Sequence, residues 1–138
     1  MSKIGMIGDP HIGARISGGS LFFLDYELDY YTNVVFPKFK ENGVKNILCT
    51  GDVFHSRKNL EINVYDQFRK RFVSNLKEYG FTMWIIPGNH DLYYTDSSDV
   101  TSLSILEEYD NIKIIRTPTV IQFDGLDIGM VPWISNEE

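Results

Sequence analysis

Asn46-Ile47-Leu48-Cys49-Thr50-Gly51-Asp52-Val53-Phe54-His55 reads as a short buried strand, Asn46 to Thr50, that stops at a glycine and is followed at once by polar donors. Asp52 and His55 stand just past the strand's end. Two other stretches are built the same way. Ile4 to Ile7 leads into Gly8-Asp9-Pro10-His11, and Thr82 to Ile86 leads into Pro87-Gly88-Asn89-His90-Asp91. The chain has three histidines, and each of them lies in one of these strings. Oxygen and imidazole donors repeated at strand ends suit hard or borderline divalent cations. Open α/β sheets place their ligands in that position, outside the carboxyl ends of the strands.

The segments between the strings read as helices. From Leu21 to Lys40, Leu24, Leu28, Tyr31, Val35 and Phe39 recur at helical spacing, with Pro37 expected to kink the helix or restart it. Asn42-Gly43 marks its stop. Ile62 to Tyr79 carries an apolar stripe of Val64, Phe68, Phe72, Leu76 and Tyr79, with Gly80 at the C-terminal stop. Strand, helix, strand, helix, strand implies crossover connections and a parallel sheet. Further on, a short helix is expected over 102–109 and a strand over 112–115. Asp124-Gly125 between Thr119–Phe123 and Leu126–Val131 is a two-residue hairpin signal. With only the residues before it to pack on, the hairpin is expected to expose an apolar face around Ile121, Phe123, Ile128 and Trp133.

At 138 residues the chain is long enough for one domain with a real core, and its 43% apolar and 14% aromatic content suits packing rather than disorder. The 13 Lys and Arg against 19 Asp and Glu give a net charge of −6, so no overall basic field advertises nucleic acid. Bound dications would reverse that local sign where a phosphate would sit. Cys49 is the single cysteine, which excludes an intrachain disulfide and reads as a small core residue. No apolar run is long enough for a signal peptide or a membrane span, so the expected setting is cytoplasmic.

Asp9 and His11 are two apart and in an extended turn can face the same cation. Asp52 can bridge two cations with its two oxygens. Asn89 offers a neutral carbonyl oxygen, and Asp91 can orient the His90 imidazole.

The order Asp9-x-His11, Gly51-Asp52-x-x-His55, Gly88-Asn89-His90-Asp91 resembles the calcineurin-like metallophosphoesterase superfamily. Gly51-Asp52-Val53-Phe54-His55-Ser56-Arg57 is similar to its double-strand-break-repair nuclease subunits of the SbcD type, including those of tailed phages, as is the hairpin region from Phe123 to Trp133. The resemblance implies an α/β fold of the α/β/β/α sandwich type, of which residues 1–138 supply the N-terminal parallel βαβαβ part and the start of the second sheet, the hairpin 119–131. It implies that Asp9 and His11 bind a first metal, Asp52 bridges, and Asn89 binds a second. His90 would act at the phosphate with support from Asp91, and His55 would lie near the phosphate. Two divalent ions are implied, manganese by family usage, with magnesium, iron or zinc compatible with the donors. The family's downstream Gly-His-x-His string has no counterpart here, since no histidine follows His90.

The activity so implied for the complete protein is phosphodiester hydrolysis by metal-activated water in DNA recombination and repair, as an exonuclease or endonuclease; residues 1–138 alone, with only Asp52 and Asn89 for the second ion, are expected to fold without appreciable hydrolysis. Arg57, Lys58, Arg69 and Arg71 are candidate phosphate contacts. The implied partners are DNA, an SMC-like ATPase of the SbcC type, and a second copy joined through helices 62–79 and 102–109; a phage-encoded chain would work in the host cytoplasm. The alternatives are a phosphoesterase acting on nucleotides or phosphoproteins, and a non-catalytic fragment that mainly dimerises.

Overall fold

In the computed structural model, which describes residues 3–13, 22–54, 62–87 and 104–132, four short apolar runs pair as a parallel sheet. They are β1 (Ile4–Ile7), β2 (Asn46–Cys49), β3 (Thr82–Ile85) and β4 (Ile112–Ile114), hydrogen-bonded in the order β1-β2-β3-β4. The register sets Ile7 beside Cys49, Cys49 beside Ile85 and Ile85 beside Ile114. Successive crossovers of one hand between neighbouring strands place their helices on the same face of a sheet. Accordingly Ile7, Ile47, Cys49, Met83, Ile85 and Ile112 all enter one core with the helices.

Both helices are interrupted, the first with the restart expected at Pro37 and the second where the sequence predicts no break. The first runs as α1 (Phe22–Tyr30), a π-helical segment (Tyr31–Val35) and α2 (Phe36–Glu41), with Pro37 in the first turn of α2. The second runs as α3 (Ile62–Gln67), a π-helical segment (Phe68–Val73) and α4 (Ser74–Tyr79). Spacing explains this. Val64, Phe68, Phe72 and Leu76 recur every four residues, and four residues of α-helix turn through about 400°, so the stripe drifts around the axis by about 40° per step. The wider π turn takes the drift back. The four side chains consequently stay buried on one face. Rings fill the seam between the two helices: Phe68 stacks on Phe72 with centroids 4.7 Å apart, and Phe72 meets Tyr31 and Phe36 edge-on. Arg71 closes the seam at its rim, its guanidinium donating to Asp25 and Asp29 of α1.

The helix expected over 102–109 is shorter where described, a single 3₁₀ turn at Ser104–Leu106. Glu107, Glu108 and Asp110 follow directly. Carboxylates at a helix C-terminus oppose its dipole, so continuation is disfavoured; Glu107 instead pairs with Arg116.

The hairpin of β5 (Thr119–Phe123) and β6 (Leu126–Met130) forms as expected, with Asp124 and Gly125 both at positive φ in its turn. Its apolar face is not left in water, which corrects the expectation. Phe123 and Met130 are buried, and Ile121 and Ile128 are partly covered, in a second core with Leu48, Trp84, Ile86 and Ile115. The face of the sheet turned away from the helices supplies the missing surface: the Trp84 and Phe123 rings meet edge-on at 5.5 Å. Met6 on β1 remains 66% exposed beyond the hairpin's reach. Trp133 lies outside the described residues.

Candidate metal centre

The turns after β1 and β2 are of equal length. Ile7 faces Cys49 before them and Ile12 faces Phe54 after them, so the two chains part and rejoin in unchanged register. The His11 N–H donates to the Asp52 carbonyl at 2.8 Å, and the Ile12 N–H to the Val53 carbonyl at 2.6 Å. Ile12, Val53 and Phe54 anchor the far ends in the core, Phe54 edge-on to Phe68 at 5.0 Å.

Between these fixed ends the backbone is driven into an uncommon conformation. Asp9 (φ 41°), His11 (φ 48°) and Asp52 (φ 50°) all adopt the left-handed region. The one other described non-glycine residue with positive φ is Asp124, in the hairpin turn. Each such residue costs about 1–3 kcal/mol and persists where its surroundings over-determine it, commonly at functional sites. The result is that one donor atom from each of Asp9, His11 and Asp52 lies within 4.8 Å of the others. Ligands on opposite sides of an ion bound at about 2.1 Å are about 4.2 Å apart, so a modest inward movement closes this trio on a cation. The set of two carboxylates and one imidazole accepts manganese, iron, zinc or magnesium. Asp52 is only 9% exposed, whereas Asp9 is open to solvent, which gives the cluster a buried floor and an accessible rim.

Thr50, which sequence reasoning passed over, steadies the rim: its hydroxyl donates to Asp9 Oδ1 at 3.3 Å. A hydroxyl one residue before Gly51, where β2 ends, was the available signal.

His55, Arg57, Lys58, Asn89, His90 and Asp91 lie outside the described residues. Arg69 and Lys70 both pair with Asp66 at 2.9 Å, which holds the Asp66 carboxyl below its ordinary range, and Arg71 is committed to Asp25 and Asp29. The candidate phosphate contacts on this helix therefore already have anionic partners within the chain. Among the described residues no helix is long and apolar enough to cross a membrane.

The "Exonuclease subunit 1" of Enterobacteria phage T4 is 30% identical over 141 aligned positions, covering 98% of this chain and 39% of the phage protein. The crystal structure of the Pseudomonas putida nuclease MPE shares the fold, with a TM-score of 0.52 at 16% identity over 85% of this chain and 49% of that one. The chain thus spans less than half the length of either relative. The sequence pattern of calcineurin-like phosphoesterases matches residues 2–132. With nearly its whole length so matched, the chain belongs to the calcineurin-like phosphoesterase family.

Proposed function

We propose that this protein is a DNA nuclease subunit that hydrolyses phosphodiester bonds with bound divalent metals, in recombination and repair. The observation that carries the reading is the trio of Asp9, His11 and Asp52, drawn within 4.8 Å of one another on strained turns at the ends of adjacent parallel strands. Its family depends on divalent metals, and the phage relative bears the name of an exonuclease subunit. In this reading residues 1–138 are the N-terminal portion of one metallophosphoesterase domain, with manganese as the working ion at two positions.

Divalent cations bound there supply Lewis acidity and a water acidic enough to be hydroxide near neutral pH. Asp9 and His11 would hold the first ion, and Asp52, on the buried floor, would serve both it and a second ion, to which this chain otherwise offers only Asn89. His90 donates to the phosphoryl and leaving oxygens as charge develops, Asp91 orients it, and His55 stands by the phosphate. Arg57 and Lys58 follow directly on the Asp52 turn in sequence and carry the backbone contacts to DNA. Arg69 and Arg71 join them only by exchanging their present carboxylate partners for phosphate. An SMC-like ATPase of the SbcC type and a second copy of the chain are the proposed partners. Helix 62–79 spends its apolar stripe on the core, so self-association would use its outward face, where Ile62 is 82% exposed.

The test is manganese calorimetry together with hydrolysis of linear duplex DNA, on the complete domain of which residues 1–138 are the N-terminal portion, as wild type and as Asp52→Ala. Metal-dependent hydrolysis that disappears with Asp52 supports the proposal. Equal metal binding by both proteins rejects it. Turnover of mononucleotides or phosphopeptides in preference to DNA selects the second reading, a phosphoesterase of other substrates, which the paired state of Arg69, Lys70 and Arg71 favours.

A further inference from the structure

The carboxyl ends of the four parallel strands form one edge of the sheet, and the trio of candidate ligands occupies only half of it. Asp9 and His11 follow β1, and Asp52 follows β2. At the far end of the edge β4 stops at Ile114, and Ile115 and Arg116 come next. The Ile115 N–H still donates to the Ile85 carbonyl at 2.9 Å, so the ladder carries the chain up to the edge before Arg116 leaves it. Among the described residues that directly follow these four strands (8–13, 50–54, 86–87 and 115–117), Arg116 is the one lysine or arginine.

Arg116 stands on the same side of the sheet as the ligand turns. Its Nε donates to Glu107 Oε1 at 2.7 Å, and a second guanidinium nitrogen donates to the same oxygen. Glu107 follows Leu106, which enters the core that also receives Ile12 and Phe54 from the ends of the ligand turns. Only β3 lies between β2 and β4. With neighbouring strands about 4.8 Å apart, β4 is about 10 Å from β2. A DNA strand carries one charge per about 3.4 Å of helix axis, so a strand with its scissile phosphate at Asp52 brings further phosphates past β4. The ion pair itself gives little reason for this placement. Its side chains are 32% and 49% exposed, and pairs so open to water contribute little to stability. A guanidinium fork matches two phosphate oxygens as well as it matches a carboxylate, yet here two of its nitrogens crowd onto one oxygen.

We propose that Arg116 binds a DNA phosphate beside the scissile one, and that Glu107 occupies its guanidinium until the DNA displaces it. The inference rests on the reading of the chain as part of a DNA nuclease. The exchange leaves the guanidinium facing an anion in both states, and Glu107, half exposed already, returns to water at small cost. Arg69 and Arg71 make similar pairs, but on the helices and not at the carboxyl edge of the sheet.

The experiment measures binding of a linear duplex oligonucleotide to the complete protein by fluorescence anisotropy, without metal so that nothing is hydrolysed, over a range of salt. Wild type is compared with Arg116→Gln, Arg116→Lys and Glu107→Gln. Arg116→Gln should bind about 10–100-fold more weakly, the effect of losing one hydrogen-bonded charge. Its slope of log affinity on log salt should be shallower by about 1. Arg116→Lys should keep the slope and recover part of the affinity, as a point charge without the fork. Glu107→Gln should bind about 2–5-fold more tightly, because an exposed ion pair no longer competes. A merely structural pair behaves otherwise: either glutamine breaks the same contact, and DNA binding changes in the same direction in both or in neither. That result overturns the proposal, as does wild-type affinity in Arg116→Gln. Manganese calorimetry should be the same in all four proteins, and weaker metal binding in Arg116→Gln overturns the assignment to a phosphate. Should Arg116→Gln not fold, Glu107→Gln decides: tighter binding supports the proposal, and unchanged or weaker binding overturns it. No binding of DNA by the wild type rejects the DNA reading itself, whereas salt-dependent binding there with no change in Arg116→Gln rejects only the role of Arg116.

Discussion

The backbone of His11 is hydrogen-bonded to that of Asp52, N–H to carbonyl at 2.8 Å, so two candidate metal ligands from turns far apart in sequence share one rigid frame. The bond continues the β1–β2 ladder beyond two turns of equal length, and both turns are pinned again at Ile12 and Phe54. Ligand spacing in such a frame is a property of sheet register. Binding needs little further ordering of the backbone, which is where preorganised sites gain affinity.

Removing the Thr50 hydroxyl should loosen Asp9 without disturbing the sheet. Thr50→Val is expected to bind manganese about 10–100-fold more weakly, the usual effect of losing an outer hydrogen bond to a ligand. Calorimetry measures the affinity, and an unchanged far-ultraviolet circular dichroism spectrum establishes that the fold is retained. Affinity equal to wild type would show that the 3.3 Å contact does not orient Asp9.

In the complete domain, His90→Ala should leave metal content nearly intact and lower the rate of DNA hydrolysis by about 10²–10⁴-fold, the range for a group acting on the transition state. Metal analysis beside single-turnover kinetics separates the roles. Loss of metal would make His90 a ligand, and a wild-type rate would remove it from the mechanism.

Burial pushes the Glu27 carboxyl up to about 7 from its ordinary 4.5, against the smaller opposing effect of the Gly13 hydrogen bond. Burial likewise raises Tyr31, with smaller contributions from Glu27, Cys49 and Tyr30. Between those two values the folded protein holds a proton that the unfolded chain has released, so the contribution of Glu27 to stability falls as pH rises from about 4.5 to about 7 and is level above that. Urea unfolding of wild type and Glu27→Gln across this window should show the glutamine variant gaining on the wild type with rising pH. A constant difference would contradict the burial argument.

Phe72 stacks on Phe68 and meets Tyr31 and Phe36, joining both π-helical segments. Phe72→Ala should cost about 3–5 kcal/mol, the range for deleting a fully buried aromatic ring. Chemical denaturation gives the number. A loss under about 1 kcal/mol would mean that the two helices repack without it.

The hairpin can be probed through Trp84, whose ring meets Phe123. Phe123→Ala should shift Trp84 fluorescence to longer wavelength, read against the second tryptophan in a Trp133→Phe background. No shift would place the hairpin away from the sheet.

The pattern of apolar runs and glycine breaks was enough to specify strands at 4–7, 46–50 and 82–86, within one residue of the parallel strands that form, the helices between them and the turn at Asp124-Gly125. Each follows from local chemistry: alternation or continuity of apolar residues, a stop, a turn-forming dipeptide. The family, and Asp9, His11 and Asp52 as candidates, were legible for the same reason, since strand ends announce themselves. Two further features belong to the tertiary structure alone. The π-helical segments arise from keeping a four-residue repeat on one face against a neighbouring helix. The hairpin's apolar face is covered by the sheet surface at Leu48 and Trp84, and no local signal reports which surface a strand pair will find. Short-range preferences decide which elements form, but long-range packing decides which of their side chains meet, and the candidate metal centre of Asp9, His11 and Asp52 is made of such meetings.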